Sequence, residues 1–330
     1  MEEVGKIDKL RSVTLAILDE TRPAYSCRND VLELKAIFEE LSGRSTDSTL
    51  DISTGETRTD NGVAISPTMA AMCVDDFART VQFLRGVHEA IVDKLSAGAT
   101  EPVRVLYAGC GPWAPLAIPL MSLFSGDEVS FTLLDLHGES LRSVESIISS
   151  LDVGDRVEKL ESVDASLFVI DPVRKPDLIV VEMLRAALES EPQIAVVTNL
   201  HAQAAAALLI PEKLTIELAL VNRSNEFSPD EEVPERDRIL VDTVLRFDRD
   251  TLGTGLVPAA VTIPDFDSSR YQPMLLTTVQ VYGNHILRDY DSGITCPKKL
   301  HAPRSPQPGD KIEFTYQLGN SPRLIARITE

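Results

Sequence analysis

Residues 105–114 read VLYAGCGPWA, an apolar run followed by two glycines one residue apart, a proline and a tryptophan. The stretch VRVLYAG (103–109) predicts a buried strand and PLAIPLMSLF (115–124) a helix, so the glycines occupy a strand-to-helix turn. Without a Cβ atom, Gly109 and Gly111 let backbone N–H groups approach a ligand closely. The turn therefore predicts a nucleotide-bearing cofactor at the edge of a sheet.

Two classes of cofactor fit this turn, and a tight turn without a ligand is a third interpretation. With Ala114 as a small third residue, the turn matches the G-x-G-x-x-A pattern of dinucleotide-binding proteins. Compared with the G-x-G-x-G pattern of methyltransferases, the turn has Trp113 in place of the last glycine. Pro112 removes one N–H donor, which a pyrophosphate needs more than a sulfonium cofactor does. The turn therefore favours S-adenosylmethionine.

Acidic residues follow the next two predicted strands. Asp135 ends FTLLD (131–135), where a carboxylate can accept hydrogen bonds from both ribose hydroxyls of either cofactor. Asp164, in ESVDAS (161–166), is placed to accept from the adenine amino group of S-adenosylmethionine, although a helix N-cap would explain it equally well. We expect both to bind the cofactor.

Strands and helices alternate from residue 103 to residue 212, with DLIVVEML (177–184) as a nearly all-apolar strand and QIAVVTNLHAQAAAAL (193–208) as a helix. This alternation predicts a Rossmann-like α/β domain with a parallel sheet covered on both faces. A long helix is predicted from Ser66 to residue 98.

The ends of the chain differ from this pattern. Residues 1–60 predict a helical extension whose second helix ends at Gly43. This extension could form a lid or a dimer contact, or simply pack on the core. Residues 43–62 are predicted to form a loop or a lid. Residues 213–330 contain β-type runs separated by Pro, Gly and Asp clusters. We therefore predict three parts, 1–60, 61–212 and 213–330.

The composition excludes several classes of partner. With 51 acidic and 32 basic residues the net charge is −19, which repels nucleic acid and anionic membrane surfaces. No apolar run could span a bilayer, and the N-terminus lacks a signal peptide, so a cytoplasmic location is expected. The four scattered cysteines and five histidines predict no metal site.

Two glutamates follow the fourth predicted strand. Glu182 ends it, and Glu191 follows nine positions later. Ligands bind outside the carboxyl ends of parallel strands, so two carboxylates there could hold a planar guanidinium in line with a methyl donor. A solvated acidic loop is the alternative, and Glu189 competes with Glu191 as the second carboxylate.

These motifs resemble those of the protein arginine methyltransferases. Glu182 and Glu191 match the spacing of the family's double-glutamate loop, VDDFART (74–80) resembles its D-x-x-R-T helix, and LLIPEKLTIELALV (208–221) resembles the segment that enters its β-barrel. The resemblance covers about residues 62 to 225. It implies a C-terminal barrel-like domain, a homodimer, and an Arg79 that binds the cofactor carboxylate.

The chain departs from the family pattern downstream. The family's Thr-His-Trp triplet is missing, and SGITCPKK (292–299) is the nearest counterpart. No histidine is assigned as a base: His137, His201 and His285 are expected to be loop, helix and barrel residues. The alternative for His285 is that it takes the place of the histidine in the missing Thr-His-Trp triplet.

The predicted function is an S-adenosylmethionine-dependent N-methyltransferase acting on a guanidino group, with free arginine or a small arginine derivative as acceptor. The alternatives are a small-molecule N- or O-methyltransferase with another acceptor, a protein arginine methyltransferase, or a non-catalytic cofactor-binding protein; a nicotinamide dehydrogenase ranks behind them. The catalytic residues would be Glu182 and Glu191.

Overall fold

A computed structural model describes residues 5–46, 51–98, 100–226 and 236–329. The N-terminal helices α1 (Lys6–Leu18) and α2 (Arg28–Ser42) are joined by a 3-10 turn, and α2 ends at the predicted Gly43, whose φ of 65° favours glycine. Their apolar stripes are fully buried, including Ile17 and Phe38. The extension is therefore packed on the core, and residues 47–50 of the predicted loop lie outside the described residues.

A hairpin and a broken helix lead into the central domain. The hairpin strands are β1 (Thr57–Thr59) and β2 (Gly62–Ala64). The helix predicted from Ser66 is interrupted: α3 (Pro67–Met72) is capped by Ser66, a 3-10 turn follows, and α4 (Phe77–Ser96) starts at a new cap. The Asp76 side chain accepts from Arg79 N, which makes Asp76 this second cap.

The central sheet has five parallel strands in the order β5-β4-β3-β6-β7. Its elements, in chain order, are β3 (Val103–Ala108), α5 (Ile118–Met121), β4 (Val129–Asp135), α6 (Gly138–Leu151), β5 (Val157–Ser162), β6 (Leu178–Val181), α7 (Gln193–Gln203) and β7 (Leu208–Ile210). The inner strands β3, β4 and β6 are almost wholly buried, which explains their continuous apolar sequence. The predicted Rossmann-like α/β fold is confirmed.

Two predicted helices are shorter in the structure. The helix predicted over 115–124 is only α5, because Pro119 lacks an N–H and Ala114 (φ 40°) bends the chain just before it. The helix predicted over 193–208 ends at Gln203, since the residues from Leu208 onward pair with β6 as the edge strand β7. Pairing with the sheet here overrides the helix propensity of the alanine run.

The C-terminal part is antiparallel and barrel-like, as predicted. One sheet has the order β12-β11-β8-β9, with β13 beside β11, and another the order β10-β14-β15. The elements are β8 (Lys213–Asn222), α8 (Arg223–Glu226), β9 (Arg238–Asp248), α9 (Arg249–Thr254), β10 (Ala259–Thr262), β11 (Tyr271–Tyr282), β12 (His285–Leu287), β13 (Lys298–Lys299), β14 (Lys311–Gln317) and β15 (Arg323–Thr329). Side chains from both sheets, such as Ile216 and Phe314, share one core with the central domain.

The parallel sheet ends at Ile210 and the first antiparallel strand begins at Lys213. No helix in the described ranges is long and apolar enough to cross a bilayer. Within the same ranges, no cluster of three or more Cys, His, Asp or Glu side chains is arranged to hold a metal ion.

Candidate active site

A cavity opens at the carboxyl ends of β3, β4 and β6, the edge where an open parallel sheet binds its ligand. The three loops that leave these strands form its floor and walls. All seven residues predicted to form the site line this one cavity: Arg79, Gly109, Gly111, Asp135, Asp164, Glu182 and Glu191. Residues far apart in sequence therefore meet at one place.

The glycine turn forms one wall of the cavity. Gly109 and Gly111 have φ values of 73° and 63°, a region that side chains disfavour. A Cβ atom on Gly109 would also lie 2.8 Å from Cγ of Met183. The turn thus favours glycine at both positions and brings bare backbone to the cavity.

Trp113, in place of a third glycine, points away from the cavity. It is fully buried, stacks on Phe38 of α2 at 5.6 Å between ring centroids, and donates from Nε1 to Oγ of Ser42 at 3.1 Å. The N-terminal extension therefore packs directly against the glycine turn. The indole fills the layer behind the turn and leaves the cavity open.

Asp135 ties two loops of the cavity together. Its Oδ2 accepts from the Gly111 N–H at 2.9 Å and its Oδ1 from the His137 N–H at 2.8 Å. A carboxylate has about four acceptor sites, so it retains capacity for ligand hydroxyl groups. The hydrogen bond between Asp135 and the His137 ring raises the pKa of that imidazole.

Asp164 stands at the start of a turn and not at the start of a helix. Its Oδ1 accepts from the N–H and Oγ of Ser166 at 2.9 and 2.6 Å, and the residues immediately after it form a turn and not a helix. The alternative that Asp164 is a helix N-cap is therefore wrong. The carboxylate lies at the cavity wall formed by the loop after β5.

Arg79 and Glu182 form an ion pair that lines the cavity. Their side chains are only 14% and 9% exposed, and Nη2 of Arg79 donates to Oε2 of Glu182. Burial raises the pKa of Glu182 although Arg79 opposes this. Burial alone would lower the pKa of Arg79, but the neighbouring acidic groups, Glu182 foremost among them, together raise it. Oε1 of Glu182 is buried without a hydrogen-bond partner in the described part of the chain.

Glu191 is the second carboxylate of this cavity. It is only 8% exposed, and burial together with the charge of Glu182 raises its pKa to about 7. Glu189 instead pairs with Nζ of Lys298 at 3.0 Å and lines a second cavity farther out. Of the two competing carboxylates, Glu191 is therefore the one beside Glu182.

Comparison with known proteins was made at the levels of sequence and structure. No family model and no curated protein sequence matches the chain. The structure is similar to protein arginine methyltransferase 1 of Trypanosoma brucei, solved as an enzyme–prozyme heterotetramer with AdoHcy (TM-score 0.52, 12% identity, 79% of this chain and 98% of that chain). The chain has the protein arginine methyltransferase fold. Protein arginine methyltransferase 10 of Arabidopsis thaliana is also similar (TM-score 0.49, 12% identity, 73% and 85% of the two chains).

The loop that carries Glu182 and Glu191, residues 182–192, lies between β6 and α7, and we call it the double-glutamate loop. Three of its residues, Ala187, Leu188 and Ser190, have φ values of 56° to 71°, which is unfavourable for side chains. Such a conformation persists only where the surroundings hold it. The loop therefore needs several anchors.

Its anchors come from three other elements and were not predicted. The buried side chain of Gln193 bridges Val181 O at 2.9 Å and Met183 N at 3.0 Å. From the barrel-like domain, Oγ1 of Thr277 accepts from Ala187 N at 3.0 Å, and the Tyr316 hydroxyl donates to Leu188 O at 2.6 Å. No sequence signal marks Thr277 or Tyr316, because both are ordinary strand residues far along the chain.

The stretch SGITCPKK lies at the outer edge of the site. Oδ2 of Asp76 accepts from Oγ of Ser292 at 2.6 Å and from the Gly293 N–H at 2.9 Å. The same Asp76 carboxylate caps α4, the helix that carries Arg79. A serine and a backbone amide therefore connect the barrel-like domain to the start of this helix, without histidine or tryptophan.

The β1–β2 hairpin covers the cavity. Asn61 Nδ2 donates to Oγ of Ser166 at 2.9 Å, Thr57 Oγ1 lies 3.1 Å from Nε2 of His137, and the Val63 N–H donates to Ser190 O at 2.8 Å. These bonds connect the hairpin to the loops after β5 and β4 and to the double-glutamate loop. The end of the segment predicted to be a loop or a lid thus forms an ordered cover.

The other two histidines lie away from the site. His201, in α7, does not line the cavity. His285 is buried on the barrel side, with Nε2 3.0 Å from Oε2 of Glu89 and 3.7 Å from Oε1 of Glu20. His285 thus contacts glutamates outside the site and does not line the cavity, so the alternative that His285 stands in for a site histidine finds no support.

Proposed function

We propose that this chain is an S-adenosylmethionine-dependent N-methyltransferase acting on a guanidino group, with free arginine or a small derivative as acceptor. The observation that carries the proposal is that Glu182 and Glu191 line the same cavity as the glycine turn and Asp135. A binding protein for the cofactor alone has no need of two buried carboxylates, which are costly to remove from water.

Four features fit the cofactor. Bare backbone at Gly109 and Gly111 allows close approach, and Asp135 retains acceptor capacity for ribose hydroxyls. Asp164 and Arg79 line the same cavity; Asp164 would accept from an adenine amino group, and Arg79 would donate to the cofactor carboxylate. When bound, S-adenosylmethionine would supply an electrophilic methyl group on its sulfonium, and the sulfur would leave as a neutral thioether.

The acceptor would be held by the carboxylates. Oε1 of Glu182 lacks a partner and would accept from a guanidinium N–H, and Glu191 would accept from a second N–H. Two charge-assisted hydrogen bonds fix the plane of the guanidinium and thus the direction of the attacking nitrogen. Positioning of this kind supplies most of the rate in a transfer that needs little acid or base chemistry.

The proton of the methylated nitrogen needs an acceptor. Glu191, with a pKa of about 7, can hold that proton near neutral pH and return it to solvent. Burial raises the pKa of Glu182, but the ion pair with Arg79 opposes this and favours the ionised form that the clamp needs. The two carboxylates therefore differ in role because, among the described residues, Glu182 forms an ion pair with Arg79 and Glu191 forms none.

Binding and transfer assays test this function. Calorimetry should show saturable binding of S-adenosylhomocysteine and none of a nicotinamide dinucleotide. Labelled methyl groups should then pass to L-arginine, and Glu182→Gln should abolish transfer while cofactor affinity changes little; Glu145→Gln, on the exposed face of α6, is the matched control.

Each other outcome selects an alternative. Transfer only to amines or hydroxyl compounds would indicate another small-molecule methyltransferase, and transfer only to peptides a protein-modifying one. Cofactor binding without any transfer would indicate a binding protein. Failure to bind S-adenosylhomocysteine would end the methyltransferase proposal.

Three predictions about organisation remain proposals. We propose the division into 1–60, 61–212 and 213–330, a homodimer as the resemblance implies, and a cytoplasmic location. Analytical ultracentrifugation tests the dimer, and separate expression of 61–212 tests the division.

A further inference from the structure

A second cavity adjoins the first on its solvent side. It shares Cys73, Arg79 and Glu191 with the inner cavity and is also lined by Glu56, Arg185, Glu189 and Lys298. We call this outer cavity the vestibule. A small acceptor whose reacting end lies between Glu182 and Glu191 would have its other end in the vestibule.

The vestibule carries charges of both signs. Lys298 and Glu189 pair at 3.0 Å, with side chains 43% and 34% exposed, so both remain open to solvent. Arg185 is exposed, and within the described residues its guanidinium makes no ion pair. Glu56 adds a second exposed carboxylate.

Arg185 is held in place by its position in the double-glutamate loop. It lies three residues after Glu182, and its carbonyl accepts from the Leu188 N–H at 2.8 Å within the anchored turn. Its charge lowers the pKa of Glu191, although the two side chains form no ion pair. Arg185 is thus near the clamp without occupying it.

This arrangement suits the head group of an amino acid. A guanidinium binds a carboxylate through paired hydrogen bonds, and exposed carboxylates attract an ammonium group. A residue within a peptide has neutral amides at these positions and would gain little from an unpaired arginine. An acceptor with a guanidino end and a zwitterionic end matches both cavities.

We infer that the vestibule binds the α-amino-acid head group of the acceptor and that Arg185 binds its carboxylate. The inference rests on the proposed function and narrows it to free amino acids that carry a guanidino side chain. Arg185 is then a specificity residue that acts far from the reacting nitrogen.

The test compares two guanidines that differ only in the carboxylate. Binding of L-arginine and of agmatine, its decarboxylated form, is measured in the presence of S-adenosylhomocysteine, together with kcat/KM for methyl transfer to each. Wild-type protein should bind and methylate L-arginine at least about 10-fold better than agmatine. Arg185→Gln should lower the affinity and kcat/KM for L-arginine about 10- to 100-fold and leave those for agmatine unchanged. Arg185→Lys should retain part of the preference.

The control is Arg327→Gln, which removes the same charge from the exposed side of β15. This substitution should leave the binding and the methylation of both guanidines unchanged. Equal use of agmatine and L-arginine by the wild type, equal losses for both in Arg185→Gln, or a preference for a terminally blocked arginine peptide would overturn the inference while leaving guanidine methylation intact. If neither guanidine binds or is methylated, the proposed function itself fails, and the inference fails with it.

Discussion

Replacing Glu191 by glutamine should make the free protein more stable at high pH. Burial and the neighbouring Glu182 raise the pKa of Glu191 from its ordinary value of 4.5 to about 7. A carboxyl group with a raised pKa in the folded state contributes stability below pH 4.5, and that contribution is lost as the pH rises through 7. Above pH 7 the wild type must therefore hold an ionised group that the fold disfavours.

The size of the effect follows from the two pKa values. The difference between about 7 and 4.5 corresponds to about 3 kcal/mol, since a tenfold change in the proton-binding constant is about 1.4 kcal/mol. Part of this loss has already occurred at pH 5, because the unfolded carboxyl group is partly ionised there. Between pH 5 and pH 8.5 we expect the stability of Glu191→Gln relative to wild type to rise by about 2 to 3 kcal/mol.

Urea unfolding without cofactor, followed by circular dichroism at several pH values, measures this difference. Glu189→Gln is the control, because it removes a carboxylate that is a third exposed and pairs with Lys298, two positions from Glu191. If the difference between Glu191→Gln and wild type is the same at pH 5 and pH 8.5, Glu191 is not the buried, disfavoured carboxylate described above.

Three further substitutions and one pH profile test the cover of the cavity, the cofactor site, the packing of the N-terminal extension and the clamp. Gly62→Ala would bring a Cβ atom within 2.6 Å of Ser190 O, so the hairpin should detach and S-adenosylhomocysteine should dissociate at least about 10-fold faster. An unchanged dissociation rate in stopped-flow measurements would show that the hairpin does not cover the cavity. Asp135→Asn should weaken S-adenosylhomocysteine binding about 10- to 100-fold, and calorimetry showing wild-type affinity would remove Asp135 from the cofactor site. Arg85→Met should lower the free energy of unfolding by about 3 kcal/mol, because the buried guanidinium donates to Ile17 O, Asp19 O and Arg22 O. A loss below about 1 kcal/mol in urea unfolding would mean that these carbonyls find other donors. In methyl transfer, kcat/KM for L-arginine should rise as the pH increases through 7 and then level, because Glu191 holds the guanidinium only when ionised; a flat profile from pH 6 to 8.5 would contradict this.

The sequence predicted the features that depend on local pattern. Continuous apolar runs predicted the inner strands, and the position of Glu182 at the end of one such run predicted that it would reach the ligand-binding edge. The pair Gly109 and Gly111 predicted a turn with exposed backbone, and the structure shows the positive φ values that this turn requires. The fold class and the barrel-like character of the C-terminal part were confirmed.

What the sequence could not predict are contacts between distant segments. Trp113 looked like a defect in the glycine pattern, yet its indole reaches Ser42 of the extension, 71 positions earlier. Thr277 and Tyr316 hold the double-glutamate loop through single hydrogen bonds across 90 and 128 positions. No periodicity records such bonds, because each partner has a residue type that is common in its own element.

The most direct test of the account is a crystal structure of the protein with S-adenosylhomocysteine and L-arginine. The account predicts the guanidinium between Glu182 and Glu191, with N–H to oxygen distances of about 2.8 Å, beside the sulfur of the cofactor product. Arginine bound elsewhere, or both carboxylates turned away from the cofactor, would contradict it.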